Sequence, residues 1–365
     1  MSRVTLISAA SLVQFMILGC SKPPAVASPE PTPTEAFAAR VDELRREKQI
    51  PGLAVVVLRD RAMLLSCGFG YADIERQVLV TPDTPFDIAS VTKPLSAVVA
   101  LRLAELGKLD LSAPMDTYDG FREFSSAARE NGGIFFNDYA TGPTRLTLRH
   151  VLMMEANGDP GSRFMYNPPS YSWASRPMSQ ASGKAFSILT EEHVFRPAGM
   201  TRSARTHRKL PLPENLARDL ARPYHIDASG KVVRSDPPLP QGDGAAGGVI
   251  TTAADLARFD VALDEGKLLT RTSREMMWSS GRAKSGASLP YGLGWFVNDV
   301  RGQTLVWHTG LWEQKYSALY MKVPAQSLTL ILLANSDGLN WESRLDEAVV
   351  ERSPFAAAFL DIFLR

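Results

Sequence analysis

A serine hydroxyl is a poor nucleophile until a neighbouring base takes its proton. The stretch Phe86-Asp87-Ile88-Ala89-Ser90-Val91-Thr92-Lys93 sets a serine and a lysine three residues apart, the only Ser-x-x-Lys in the chain. On a helix that spacing puts both side chains on one face, within contact range. Leu95, Val98, Val99, Leu103 and Leu106 supply a buried face for a helix over 91–106. Pro94 falls in its first turn, where a missing N–H costs little, and Gly107 ends it. A helix start offers free N–H groups and the positive end of a dipole, which can hold the oxygen of a tetrahedral intermediate. The same field, with partial burial, lowers a lysine pKa so that a neutral amine can act as base. A capped helix start at Ser90 with a solvated Lys93 fits the same spacing, so these two residues alone leave both readings open.

The elements that would position this pair can be read on either side of it. The chain has 365 residues, 45% apolar and 22% charged, with a formal charge of +1. That balance describes an ordinary globular protein and gives no general attraction to nucleic acid or to an anionic membrane. Phe37, Val41 and Leu44 predict a helix over 35–48. Residues 53–59 and 63–71 read as strands joined at Arg59-Asp60-Arg61, the first so continuously apolar that it should be central. Helices are expected over 148–155, 171–182, 186–195 and 253–265, the last capped by Thr251-Thr252 and stopped by Gly266. Strands are expected over 292–298, 304–308, 316–322 and 328–335, with short antiparallel connections, and a helix over 339–350 would cover the sheet. The fold class is therefore α/β (α+β), an antiparallel sheet flanked by N- and C-terminal helices with a helical insert over roughly 81–290 and no internal repeat.

The N-terminus has a different character. Arg3 precedes a largely apolar run over 4–18, followed by Ile17-Leu18-Gly19-Cys20-Ser21. The run has the length of a signal-peptide core and is too short to span a bilayer. Its end resembles the lipobox of bacterial lipoproteins, which implies cleavage before Cys20 and a lipid on that residue; a plain secretory signal with an incidental cysteine is the alternative. Residues 1–20 are then a signal peptide, 21–34 a Pro-rich tether and 35–365 the folded domain. The expected location is outside the bacterial cytoplasm, periplasmic or at the cell surface, with the membrane contacted only through the lipid. Cys67, the other cysteine, has no partner in such a mature chain and reads as a buried inert thiol.

The segments "IPGLAVVV", "FDIASVTKPLSAVVALRLAELGKLDL", "LTLRHVLMM", "VFRPAGMT", "GAAGGVITTAADLARF", "YGLGW" and "WHTG" follow one another between Val41 and Asn335. In this order they resemble the serine β-lactamase and penicillin-binding-protein superfamily, in its class C β-lactamase-like and esterase branch. The resemblance implies a β-lactamase/transpeptidase-like fold with the active site between sheet and helical insert. It makes Ser90 the nucleophile and Lys93 its base. Tyr166-Asn167-Pro168 aligns with a Tyr-x-Asn-like loop, so Tyr166 would face Ser90 and shuttle the proton, and Asn167 would contact substrate. Pro168 stands where relatives often carry a polar residue and offers no side-chain hydrogen bond. His308-Thr309-Gly310 aligns with the strand-end motif. His308 would polarise the pocket, Thr309, Gly310 and Trp312 would meet substrate, and the backbone N–H groups of Ser90 and Leu311 would form the oxyanion hole. An ordinary loop aromatic at Tyr166 and a satisfied buried histidine at His308 are the structural alternatives. Leu311-Trp312-Glu313 is bulkier than the small residues relatives often carry there, and the longer connection over 118–144 precedes rather than follows the Glu155-Ala156-Asn157-Gly158-Asp159-Pro160-Gly161 stretch, so the rim should differ from that of a β-lactamase. The glycine-rich 242–248 segment should line the cleft.

Other chemistries lack their residues. There is no Gly-x-Ser-x-Gly elbow and no His-Glu-x-x-His, and the five histidines are scattered. No metal or organic cofactor is expected. The sequence thus points to a serine hydrolase that forms an acyl-enzyme on Ser90 and cleaves a small ester or a D-amino-acid peptide or amide. β-Lactamase or DD-peptidase activity is an alternative that Pro168 and Leu311-Trp312 disfavour. A non-catalytic module binding cell-wall peptides or a protein partner on the same fold is another. Nothing in the sequence signals an oligomeric state.

Overall fold

The computed structural model describes residues 30–341 and 348–364. The expected signal peptide, Cys20 and most of the tether lie outside the described residues. The first helix, α1 (Pro33–Glu47), starts within the last tether positions because Thr32 and Glu35 form a reciprocal capping box. Its buried residues are Phe37, Val41 and Leu44, as the periodicity required.

Strand β1 (Gly52–Arg59) turns into β2 (Ala62–Asp73) through Asp60 and Arg61, both in the left-handed region at φ 52° and 67°. Two such residues suit the twist of a tight hairpin. The sheet continues through β3 (Val78–Leu79), β4 (Phe296–Val300), β5 (Gln303–Trp312), β6 (Tyr316–Val323) and β7 (Leu328–Ala334). Its order is β4-β5-β6-β7-β1-β2-β3, and every pairing is antiparallel. Residues from both ends of the chain therefore build one sheet, and β1 is central as its apolar run demanded.

Helices α2 (Thr92–Glu105), α3 (Pro168–Trp173) and α4 (Ala253–Asp264) fall between β3 and β4 in the sequence, and α5 (Pro354–Phe363) follows β7. Helix α4 packs on β1 and β7. It is tied there by Lys322 of β6, whose buried ammonium lies 3.0 Å from Asp260 and 2.6 Å from Asp264. Helix α5 packs on α1 through Phe359 and Phe363 against Phe37, with ring centroids 5.7 and 5.4 Å apart. It lies beyond the helix expected over 339–350. Residues 339–341 are not helical, 342–347 lie outside the described residues, and the helix starts only where Ser353 caps it and Pro354 occupies its first turn.

Several other expectations are corrected. The helix over 148–155 ends at Leu152 because Met154 adopts φ 57°. The helix over 171–182 is two pieces, α3 and Ser175–Ser182. The helix over 186–195 runs on through a wide turn at Glu191–Phe195 to Ala198. The 118–144 connection contains an unforeseen helix, Phe121–Asn131, whose Phe124 stacks on Trp173 at 5.5 Å. Strand β4 starts at Phe296 rather than 292, because Gly294 (φ 77°) lets the chain pass close to the Lys93 carbonyl. Strand β5 continues to Trp312, so the His308-Thr309-Gly310 segment lies within it and not at its end.

Candidate active site

Ser90 sits in a tight turn, Ala89–Val91, that feeds directly into α2. Two features force this presentation. Phe86–Asp87 pairs with Val249–Thr251, which fixes the chain just before the turn. Asp87 then accepts the Ala89 N–H at 2.8 Å, while Ala89 is held at φ 44°. A non-glycine residue in that region is strained and persists only where surroundings over-determine it. Asp87 is itself buried, and burial pushes its pKa up to about 6 against the pull of the Ala89 N–H.

Lys93 projects from the first turn of α2, and its Nζ lies 2.7 Å from Ser90 Oγ and 3.2 Å from the Ala246 carbonyl. Its side chain is wholly buried, with the rings of Tyr166 and Tyr171 at 5.0 and 5.7 Å from Nζ. Burial pulls its pKa well below the usual lysine range, and no carboxylate opposes that. That shift favours the neutral amine, the form able to accept the Ser90 proton. Tyr166 completes the group. It stacks on Phe296 at 5.8 Å, and burial raises its pKa against an opposing hydrogen bond with Ser90, so the phenol stays protonated.

His308 is placed differently from the expectation. It is fully buried and absent from the cleft surface. Its Nδ1 lies 2.7 Å from the Thr309 carbonyl, an obligate acceptor, so Nδ1 carries the hydrogen and Nε2 accepts from the Tyr291 hydroxyl at 2.9 Å. Burial, the largest cause, holds its pKa well below the ordinary range. A neutral ring with both nitrogens occupied supplies no positive charge. It packs between Phe296 and Tyr166, at 5.3 and 6.0 Å, and so positions the phenol.

Asn167 also takes a positioning role instead of a substrate contact. It is buried, its side-chain oxygen caps α3 through Ser170 N–H at 3.0 Å, and its amide donates to the Phe135 carbonyl at 2.7 Å and to Asn157 at 3.0 Å. That clamp fixes the residue next to Tyr166. Thr309, Leu311 and Trp312 do reach the cleft, and Thr309 is anchored to the Ala318 carbonyl at 3.1 Å. Gly310 is where the sheet meets the nucleophile turn: a Cβ there would lie 2.2 Å from the Ile88 carbonyl oxygen.

The cleft encloses about 700 Å³ beside Ser90. Ser90, Leu311, Tyr166, Pro168 and Pro169 all line it. The glycine-rich segment lines it as expected, through Gly242, Gly244, Ala246 and Gly247. Arg205 holds it from behind, donating to the Gly244 and Gly247 carbonyls at 2.7 and 3.1 Å, and Ser96 of α2 donates to Ala245 at 2.7 Å. Sequence reasoning missed Phe135 and Gln241 as lining residues, whereas Glu313 lies at the rim where the Leu311-Trp312-Glu313 stretch placed it. Phe135 comes from the 118–144 connection, where no periodic pattern marked it. No group of three or more His, Cys, Asp or Glu among the described residues could hold a metal ion.

Comparison with known proteins bears on the family and the fold. The β-lactamase family model matches residues 37–352. PbpX of Bacillus subtilis (strain 168) is 30% identical over 270 residues, which cover 71% of this chain and 65% of PbpX. The chain thus spans a little under two thirds of that relative's length. Among solved structures, the octameric penicillin-binding protein homologue from Pyrococcus abyssi superposes with TM-score 0.70 at 22% identity, over 89% of this chain and 76% of that one. The D-amino acid amidase from Ochrobactrum anthropi SV3, complexed with L-phenylalanine amide, gives 0.69 at 20% identity, over 90% and 99%. These likenesses establish a shared fold.

Proposed function

The chain belongs to the β-lactamase family, whose members are generally serine hydrolases, and on that premise we propose that it hydrolyses small esters, or amides of D-amino-acid peptides, through an acyl-enzyme on Ser90. One observation carries the reading: the Lys93 amine lies 2.7 Å from Ser90 Oγ, wholly buried and without a carboxylate partner. A structural lysine would be exposed or paired.

The steps follow from the geometry. Ser90 Oγ attacks the carbonyl as Lys93 takes its proton. The oxyanion is held by the N–H groups of Ser90 and Leu311, each worth roughly 10²–10³ in rate where such donors have been removed elsewhere. Tyr166, hydrogen-bonded to Ser90, passes a proton to the leaving oxygen or nitrogen and is resupplied from Lys93. Water then attacks the ester on Ser90, and the same groups run in reverse. His308 keeps Tyr166 in place and does not exchange protons with substrate. Ester cleavage ranks first because Pro168 removes a polar contact to an amide and the bulky Leu311 and Trp312 narrow the cleft.

Turnover of a p-nitrophenyl ester beside a chromogenic cephalosporin tests this. The ester should be cleaved faster, and Ser90→Ala should abolish its cleavage. Wild-type turnover by Ser90→Ala would overturn the proposal.

A further inference from the structure

The charge around the cleft is one-sided. Glu313 is the only Asp, Glu, Lys or Arg among the residues lining it. Glu313 is exposed and makes no ion pair or hydrogen bond within the described residues. The cations near it are turned away or enclosed. Lys93 is buried, Arg205 is buried and paired with Asp243 at 3.2 Å, and the Lys315 ammonium is directed to the Asp236 carbonyl at 2.8 Å. Beside Glu313 stands Trp312, which lines the cleft together with Phe135 and Tyr166. A carboxylate next to aromatic faces attracts an ammonium group through both its charge and the ring quadrupoles. The same lining carries no cationic side chain for a substrate carboxylate.

We infer that Glu313, with Trp312, is a specificity determinant that selects esters or amides carrying an ammonium group and disfavours those carrying a carboxylate. Leu311 and Glu313 are two residues apart, about 7 Å of extended chain. The cationic end of the substrate therefore lies several bonds from the carbonyl held at Leu311. The inference rests on the Ser90 acyl-enzyme reading and adds the charge of the substrate to it.

Three thioesters with one reactive group and different charge test it: acetylthiocholine, its neutral isostere S-(3,3-dimethylbutyl) thioacetate, and the anionic S-acetyl-3-mercaptopropionate. The cation should exceed the neutral isostere in kcat/KM by about tenfold, the sum of a screened ion pair and a cation–π contact, with the anion lowest. Glu313→Gln should collapse that ratio, Glu313→Lys should reverse the order of cation and anion, and added salt should compress it in the wild type. Equal rates for all three, or a ratio that Glu313→Gln leaves intact, would overturn the inference. If Ser90→Ala still abolishes that turnover, the acyl-enzyme reading stands alone. Calorimetry of choline against 3,3-dimethylbutanol on Ser90→Ala reads the discrimination without chemistry. Tighter choline binding supports it, and equal or no binding by both refutes it.

Discussion

Gly310→Ala should disable the site while leaving the protein folded. The added Cβ would lie 2.2 Å from the Ile88 oxygen and 3.1 Å from the Ile88 carbonyl carbon, both backbone atoms that cannot rotate away. A carbon–oxygen contact relaxes only near 3.3 Å, so β5 and the nucleophile turn must separate by about 1 Å. Ile88 precedes Ser90 by two residues and Leu311 follows Gly310, so the gap opens between the attacking oxygen and the proposed oxyanion donor. A misplacement of that size costs about 10²-fold in rate, whereas overpacking costs about 1–3 kcal/mol of stability. Gly247→Ala is the comparison: its Cβ would meet only the Ala89 oxygen at 3.9 Å and the Trp312 ring at 4.0 Å, ordinary contacts in the same cleft. The assay is kcat/KM for a p-nitrophenyl ester, beside the melting temperature of each variant. A folded Gly310→Ala protein within about twofold of wild type, or no worse than Gly247→Ala, would refute the close-approach argument.

Burial depresses the Lys93 pKa, and the amine must be neutral to act, so kcat/KM should rise with pH through a value well below 10.5 and then level; a profile that first rises near 10 would contradict this. Glu155 is buried with Oε1 unpartnered, and burial pushes its pKa up to about 7 from 4.5. Because the folded state keeps this proton after the unfolded state has lost it, stability should fall as pH rises from about 4.5 to about 7, by on the order of 2 kcal/mol after solvent screening. Chemical denaturation across that window should show the slope, and Glu155→Gln should flatten it. The lipobox reading proposes that Cys20→Ser releases the protein from membranes; unchanged fractionation would end that proposal.

Much of the architecture was legible because its signals are local. Continuous apolarity marked β1 as central, and the helical stripe through Phe37, Val41 and Leu44 marked α1. The Ser90–Lys93 pairing was likewise a matter of helical spacing. What escaped depends on tertiary placement. His308 stands in the expected motif, but only packing against Tyr291 and Phe296 reveals that it is neutral and enclosed. Asn167 looked available to substrate because its partners, the Phe135 carbonyl and Asn157, come from distant segments. Phe135 itself sits in a connection whose conformation is set by aromatic contacts rather than by a repeating pattern. The C-terminal helix Pro354–Phe363 was not foreseen, although Ser353-Pro354 is a local start signal and its apolar face meets Phe37.

The central claim is that Ser90 is a nucleophile activated by a buried neutral lysine. Mass spectrometry after a fluorophosphonate probe tests it most directly. The account predicts one adduct, on the peptide containing Ser90, absent from Ser90→Ala and nearly lost from Lys93→Ala. A folded wild-type protein that gives no adduct, or one that carries it on another residue, would contradict the account.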